Sequence, residues 1–351
     1  MDLSPLKTCK LKVLSLKDCG VNSLNFQPLA TSPLHKLYVI NCPLKKIDVS
    51  PLKNTLTELW LGTLQNTYFW EEINHKQTKP KYQLLDLSKM KKLKRVYACG
   101  VASLKTVKLK DTKTKQGIRS LLELHLYGTG IRTLDATAAK NLKRLFVGDR
   151  IRKLTVDKCK KLKEIGVINL GSKQAATIKS SSVQHIQYQG KTLKNLSFSK
   201  CPKLYTLSIK CTKVGTVNLR SNKRLHYMTL NSKKTGKVVY PKVSTKGWHD
   251  CCDLVETNYY KNLDEFKNDP DAKGVYKEYV GYTLEYPTKI LDISAWTSLN
   301  KTVKRCMFGY GDFDHEKCAT KKIIINKKLR KADKKWIKKF AKKWHVKVVE
   351  K

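Results

Sequence analysis

The stretch Leu11-x-x-Leu14-x-Leu16-x-x-Cys19-x-Val21-x-x-Leu24 decides the fold, because its spacing returns twice more. It reappears as Leu34, Leu37, Val39, Cys42, Leu44, Ile47 and as Leu121, Leu124, Leu126, Thr129, Ile131, Leu134. Self-similarity at about 21 residues marks a solenoid. A single copy offers a Leu-x-Leu strand and a few further apolar residues, too little to close a core, whereas stacked copies close one together. Further units start at Leu56, Leu93, Leu142, Leu162, Val183, Leu204 and Leu225, giving ten in all. Extra residues enter between Leu61 and Leu84 and between Leu104 and Leu121, and the unit starting at Leu162 is degenerate in its second half.

Some units end alike, as Ile47-Asp48-Val49-Ser50, Leu85-Asp86-Leu87-Ser88 and, more loosely, Leu134-Asp135-Ala136-Thr137. With these endings on the ladder, residues 1 to 235 resemble the short-repeat, secreted type of bacterial leucine-rich-repeat protein. The resemblance implies an α/β leucine-rich-repeat solenoid, β-rich and right-handed. It also implies a non-enzymatic adhesion or recognition role, outside or on the surface of a bacterial cell, for a monomer that binds a protein or glycan. Cys19, Cys42 and Thr129 stand where the commonest pattern of that family has Asn, so the side chains that satisfy its turns are expected to be mixed.

The formal net charge is +44, from 72 basic and 28 acidic residues. Such a field opposes compactness and attracts polyanions. The basic residues are overwhelmingly Lys, a hydrated point charge, whereas reading of nucleic-acid bases leans on the forked Arg. An anionic polymer such as wall teichoic acid, nucleic acid or acidic glycan is therefore the alternative partner. No apolar run is long enough to span a membrane as a helix. Asp2-Leu3-Ser4-Pro5-Leu6-Lys7 copies Asp48-Val49-Ser50-Pro51-Leu52-Lys53, so the chain opens halfway through a unit. A cap and an export signal are expected upstream.

Eleven cysteines is an odd number, which excludes a complete set of intrachain disulfides. Cys19, Cys42 and Cys99 fall at the turn after a repeat strand, where packing is their expected role. Cys306 and Cys318 flank a loop rich in Gly and Asp and are the best disulfide candidates.

The ladder fades after Leu230, which divides the chain into a solenoid, 1–240, and a basic C-terminal α/β capping domain, 241–351. In the second part the sequence predicts a short helix near Asn262 to Lys267 and strands near Lys289 to Ile293, Thr302 to Phe308 and Lys321 to Asn326. A helix over Ala332 to Trp344 and a strand over Val346 to Val349 follow. Trp336, Ile337, Phe340, Ala341 and Trp344 share one face of that helix. Because strands flank it, the face is expected to dock on a sheet rather than on an anionic membrane. Its Lys334, Lys335, Lys338, Lys339, Lys342 and Lys343 make the anion-seeking patch, in a segment, 321–351, with fourteen basic and two acidic residues.

In each Leu-x-x-Leu-x-Leu the residue between the last two apolar positions points to the concave side, by the period-two rule. Stacking turns it into a column: Ser15, Tyr38, Trp60, Tyr97, His125, Phe146, Gly166, Gln187, Ser208, Thr229. Five consecutive rings are thus expected to face solvent, and exposed apolar surface of that extent marks a contact site. Two residues earlier stand Lys36, Glu58, Arg95, Glu123, Arg144 and Glu164, alternating in sign and expected to pair across strands. The candidate ligand-binding face is Tyr38, Trp60, Tyr97, His125 and Phe146, with Arg95, Glu123, Tyr127 and Arg144 at its edge. Tyr, Trp and Arg are the types enriched at binding hot spots. The same column equally serves the stability of the sheet. The insertion after Leu61 adds Trp70 and His75 beside the Trp60 strand.

Catalytic motifs are missing: there is no Gly-x-Ser-x-Gly, phosphate loop, His-Glu-x-x-His or Cys-x-x-Cys. Asp312-Phe313-Asp314-His315-Glu316 has too few oxygen ligands for a calcium loop. The sequence therefore predicts no enzyme, no cofactor and no metal.

Overall fold

The computed structural model describes residues 1–63, 80–148, 150–169, 178–242, 259–260, 277–278, 281–284, 288–299, 304 and 320–351. Trp70, His75, Cys306 and Cys318, the helix expected near Asn262 and all but Lys304 of the strand expected over 302–308 lie outside the described residues. The chain forms two compact units, Met1–Gly190 and Lys191–Lys351.

In the first unit the repeat strands are β1 (Val13–Lys17), β2 (Lys36–Ile40) and β3 (Glu58–Gly62), then β5 (Arg95–Cys99), β7 (Glu123–Leu126), β9 (Arg144–Val147) and β11 (Glu164–Asn169). The series ends on β12 (His185–Ser197), which spans the division between the units. They pair in parallel in that order. Shorter strands β4 (Leu84–Asp86) with β6 (Thr106–Lys108), and β8 (Thr133–Asp135) with β10 (Lys153–Thr155), form two separate parallel pairs.

The leucine pattern accounts for this arrangement. Every unit start from Leu34 to Leu225 is buried, and Leu14, Leu37, Leu59, Val96, Leu124, Leu145 and Ile165 fill the same interior column on successive strands. Burial of each Leu side chain contributes about 1.5–3 kcal/mol. The chain leaves the strand through residues in left-handed backbone, Asp18 (φ 54°), Asn41 (52°), Gly62 (94°), Gly100 (71°) and Gly128 (64°), types that tolerate it. Asn41 donates its side-chain amide to Asp18 Oδ1 at 2.8 Å. The mixed turn ladder is present: Cys42 Sγ lies 3.4 Å from the Ile40 carbonyl, and the Thr129 hydroxyl donates to Leu126 at 2.9 Å. The repeat endings work as Asx turns, Asp48 accepting from the Ser50 amide at 2.9 Å, Asp86 from Ser88 at 3.0 Å and Asp135 from Thr137 at 2.9 Å.

In the second unit β13 (Thr206–Asn218) and β14 (Tyr227–Val239) run thirteen residues each and pair in parallel along their length. Two short strands, β15 (Tyr259–Tyr260) and β16 (Lys277–Glu278), pair with each other. Next come β17 (Gly281–Leu284) and β18 (Thr288–Asp292), both on β14, then β19 (Lys322–Ile325) and β20 (Lys347–Glu350), all parallel. The strands that the sequence pattern set in a separate cap therefore continue the ladder of β13 and β14. Leu291-Asp292-Ile293-Ser294 repeats the earlier ending, with Asp292 Oδ1 accepting from the Ser294 hydroxyl at 2.7 Å.

Helix α1 (Lys331–Trp344) buries Ile337 and Ala341 and stops at His345, whose left-handed backbone (φ 52°) lets the Val346 amide bond back to the Ala341 carbonyl at 2.9 Å. Asp333, in its first turn, is fully buried. It pairs with Lys304 Nζ at 2.7 Å and Arg330 Nε at 3.0 Å and accepts the Leu299 amide at 3.0 Å. Trp336, Phe340 and Trp344 form a half-buried strip, their centroids 5.9 and 6.4 Å apart. Among the described residues no helix is long and apolar enough to cross a membrane.

Candidate functional site

The inward Leu-x-Leu of each repeat strand forces the residue between onto the concave face, and the register aligns those residues rung by rung. Ser15 pairs with Tyr38, Tyr38 with Trp60, Trp60 with Tyr97, Tyr97 with His125, His125 with Phe146 and Phe146 with Gly166. Parallel strands lie about 4.8 Å apart, close to the spacing of stacked rings. Centroids are separated by 5.9 Å for Tyr38–Trp60, 3.9 Å for Trp60–Tyr97, 4.4 Å for Tyr97–His125 and 4.5 Å for His125–Phe146. Interplanar angles run from 18° to 31°. Trp60, Tyr97 and His125 thus have a ring over each face, and for Trp60 and Tyr97 what remains for solvent is the edge.

Burial rises along the column. Ser15 is exposed, Tyr38, Trp60 and Tyr97 are half-buried, and His125 and Phe146 are buried. Five solvent-facing rings were expected from the alternation; three have an accessible edge. Tyr127, expected at the polar edge, is also buried, in a cluster with Cys99 and Phe146. The cause is Gly166, the next rung. A Cβ there would clash with Phe146 Cδ1 and would stand 2.7 Å from the Tyr127 hydroxyl oxygen, so the missing side chain lets both rings fold inward.

The alternating charges form one ladder. Arg95 bridges Glu58 and Glu123, each at 3.6 Å, and Arg144 bridges Glu123 and Glu164, each at 3.8 Å. The carboxylates are covered, 13% and 15% exposed at Glu58 and Glu123, while the Arg95 and Arg144 side chains stand out at 48% and 55%. The same carboxylates hold the rings. Glu58 accepts from Trp60 Nε1 at 2.7 Å and from the Tyr38 hydroxyl at 3.3 Å; Glu123 accepts from the Tyr97 hydroxyl at 3.2 Å.

Burial, with Glu123 beside it, pushes the Tyr97 phenol up to about 12, and burial and Glu58 raise that of Tyr38. Burial lowers the His125 imidazole to about 4 against the pull of Glu123, whose Oε2 lies 3.9 Å from Nε2. Burial likewise raises Glu164, opposed by Arg144. The Tyr97 phenol and the His125 imidazole are therefore both neutral near pH 7.

In the second unit Lys334 and Lys338 are engaged by Glu350 at 2.8 and 3.6 Å, Lys343 Nζ stands over the Trp344 ring at 5.3 Å, and Lys335, Lys339 and Lys342 are exposed. A ring pair that the alternation did not single out, Tyr205 and His226, stacks at 4.3 Å; both residues directly follow a unit start, which is the signal that identifies them. Among the described residues no group of three or more His, Cys, Asp or Glu side chains is placed to hold a metal ion.

Register, buried leucines and Asx turns settle the class of the molecule. It is a leucine-rich-repeat-like solenoid protein. No protein-family model matches the chain, and no curated protein matches it. Among solved structures it is similar to the functional domain of InlJ from Listeria monocytogenes, a domain described as including a cysteine ladder, at 16% identity and a TM-score of 0.30. The match covers 70% of this chain and 62% of that one, less than two thirds of its length.

Proposed function

We propose that this solenoid is a non-enzymatic binding protein that takes a protein ligand on the concave column of Tyr38, Trp60 and Tyr97. The observation that carries this reading is the edge-on presentation of the rings. A sugar stacks on an aromatic face, and here the faces of Trp60 and Tyr97 are covered by their neighbours at 3.9 and 4.4 Å. A level strip of ring edges beside the Arg95 and Arg144 guanidiniums is instead the amphipathic surface on which protein hot spots are built. Rings and carboxylates are already satisfied by each other, so binding orders little that is not ordered beforehand. The resemblance of the repeat endings to those of secreted short-repeat proteins supports a setting outside a bacterial cell, and nothing in the site requires a second copy of the chain.

The other reading is electrostatic attachment to an anionic polymer. The observation favouring it is the exposed Lys335, Lys339 and Lys342 of α1, whose neighbouring carboxylates Asp333 and Glu350 are both taken up by local ion pairs. Capture on extracellular protein arrays, neutral glycans and heparin across a salt series separates the two. We expect salt-resistant capture by a protein that falls roughly thirtyfold in Trp60→Ala/Tyr97→Ala, the loss of one strong hot spot. Capture on heparin alone that falls steeply with salt and ignores the variant overturns the concave reading in favour of the polymer.

A further inference from the structure

The ring column has two ends, and they differ. At the Gly166 end Phe146 is 2% exposed and sealed beneath Tyr127. At the other end the rung beside Tyr38 is Ser15, an exposed residue too small to cover a ring. Each inner ring of the stack has a ring on both sides at 3.9 to 5.9 Å, and among the described residues Tyr38 has one on the Trp60 side alone. Its hydroxyl is tethered to Glu58, which fixes the ring with that face presented over Ser15.

Two lysines border the open face, and neither forms an ion pair among the described residues. Lys36 stands opposite Val13 on β1 and opposite Glu58 on β3, whose carboxylate is engaged by Arg95, Trp60 and Tyr38. Lys17 is exposed on the same face of β1, two residues beyond Ser15, and Val13 is 44% exposed two residues before it. Lys36 and Tyr38 are themselves two residues apart on β2, so both project from one face about 7 Å apart.

We propose that the open face of Tyr38, over Ser15 and between Lys36 and Lys17, is a socket for an aromatic side chain flanked by acidic residues in an extended segment of the protein ligand. An extended ligand repeats its side chains on one face every second residue, so an acid-x-aromatic-x-acid sequence matches Lys36, Tyr38 and Lys17. The inserted ring continues the stack by one rung, and its carboxylates meet the lysines that the charge ladder leaves over. The proposal rests on the concave face being the binding surface.

The test is a titration of the full chain with the capped pentapeptide Asp-Ser-Trp-Ser-Asp, followed by backbone amide shifts in NMR. Saturable shifts centred on Ser15, Lys36 and Tyr38 are expected, and replacing the peptide Trp by Leu should weaken binding about fivefold to tenfold. Ser15→Trp supplies the missing ring in cis and should block the peptide; Lys36→Gln, which leaves every ring in place, should weaken it and remove part of its salt dependence. An equal affinity for the Leu peptide, shifts centred elsewhere, or no saturable binding overturns the socket. If the peptide fails while protein capture still depends on Trp60 and Tyr97, the socket alone is wrong. If capture ignores those two rings, the reading of the concave face falls with it.

Discussion

Gly166→Ala adds one methyl group at the point where the ring column is sealed. Gly166 sits in β11, and its backbone is not in the left-handed region, so Ala is conformationally acceptable there. With no clash the substitution would stabilise the fold by about 0.4–1 kcal/mol through the unfolded chain. The added Cβ meets Phe146 Cδ1, with Phe146 Cε1 at 2.9 Å and the Tyr127 oxygen at 2.7 Å. Phe146 cannot withdraw freely, because His125 lies 4.5 Å from it on one side and Tyr127 lies 5.5 Å from it. Overpacking of this kind costs about 1–3 kcal/mol. For a chain of this size that is a fall in Tm of roughly 1–4 °C, read by calorimetry or by denaturant midpoint. Phe146→Ala removes both Cδ1 and Cε1, the atoms that clash, so it should be less harmful in the Gly166→Ala background than alone, with a coupling of about 1 kcal/mol or more. A Tm for Gly166→Ala equal to or above that of the wild type, or strictly additive effects in the double variant, refutes the account of how the column closes.

Two further outcomes are expected. His125 is held near 4 in the fold against 6.5 when free; the unfolded chain therefore binds the proton more tightly, and the stability that neutral His125 supports is complete above about pH 6.5 and lost as pH falls towards 4. The loss amounts to about 2–3 kcal/mol, so urea midpoints of wild type should drop more between pH 7 and pH 4.5 than those of His125→Phe, and parallel curves would count against a buried neutral imidazole. Asp333→Asn leaves Lys304 and Arg330 without their buried carboxylate and should cost the second unit about 1.5–3 kcal/mol through the lost charge-assisted hydrogen bonds, seen as loss of hydrogen-exchange protection in α1; unchanged protection there would show that the cluster is dispensable.

The leucine spacing made the register legible, and with it both columns, because strand alternation leaves one choice of face once Leu124 and Leu126 point inward. The sign alternation from Lys36 to Glu164 was equally readable. Ring depth was not, since it depends on what a neighbouring rung lacks: Gly166 stands in the same column as Phe146 and carried the signal as a missing side chain. Edge-on presentation was hidden too, because the positions of Glu58 and Glu123 beside the rings fix it, and alternation does not report depth. Beyond residue 240 the 21-residue period is interrupted by the long segment between β14 and β18, yet the ending Leu291-Asp292-Ile293-Ser294 was present to mark a further turn.

The charge ladder gives the molecule a grammar that its backbone does not have. The fold repeats every turn, whereas Glu58, Arg95, Glu123, Arg144 and Glu164 repeat every second turn. Excising the turn that carries Arg95 would set Glu58 directly against Glu123, and excising that of Glu123 would set Arg95 against Arg144, like charges opposed across a strand pair. Turns in this stretch can be gained or lost in pairs without opposing like charges, so the heritable module of the inner face is two repeats long, and a lineage growing or shrinking by recombination should keep the parity of its repeats there.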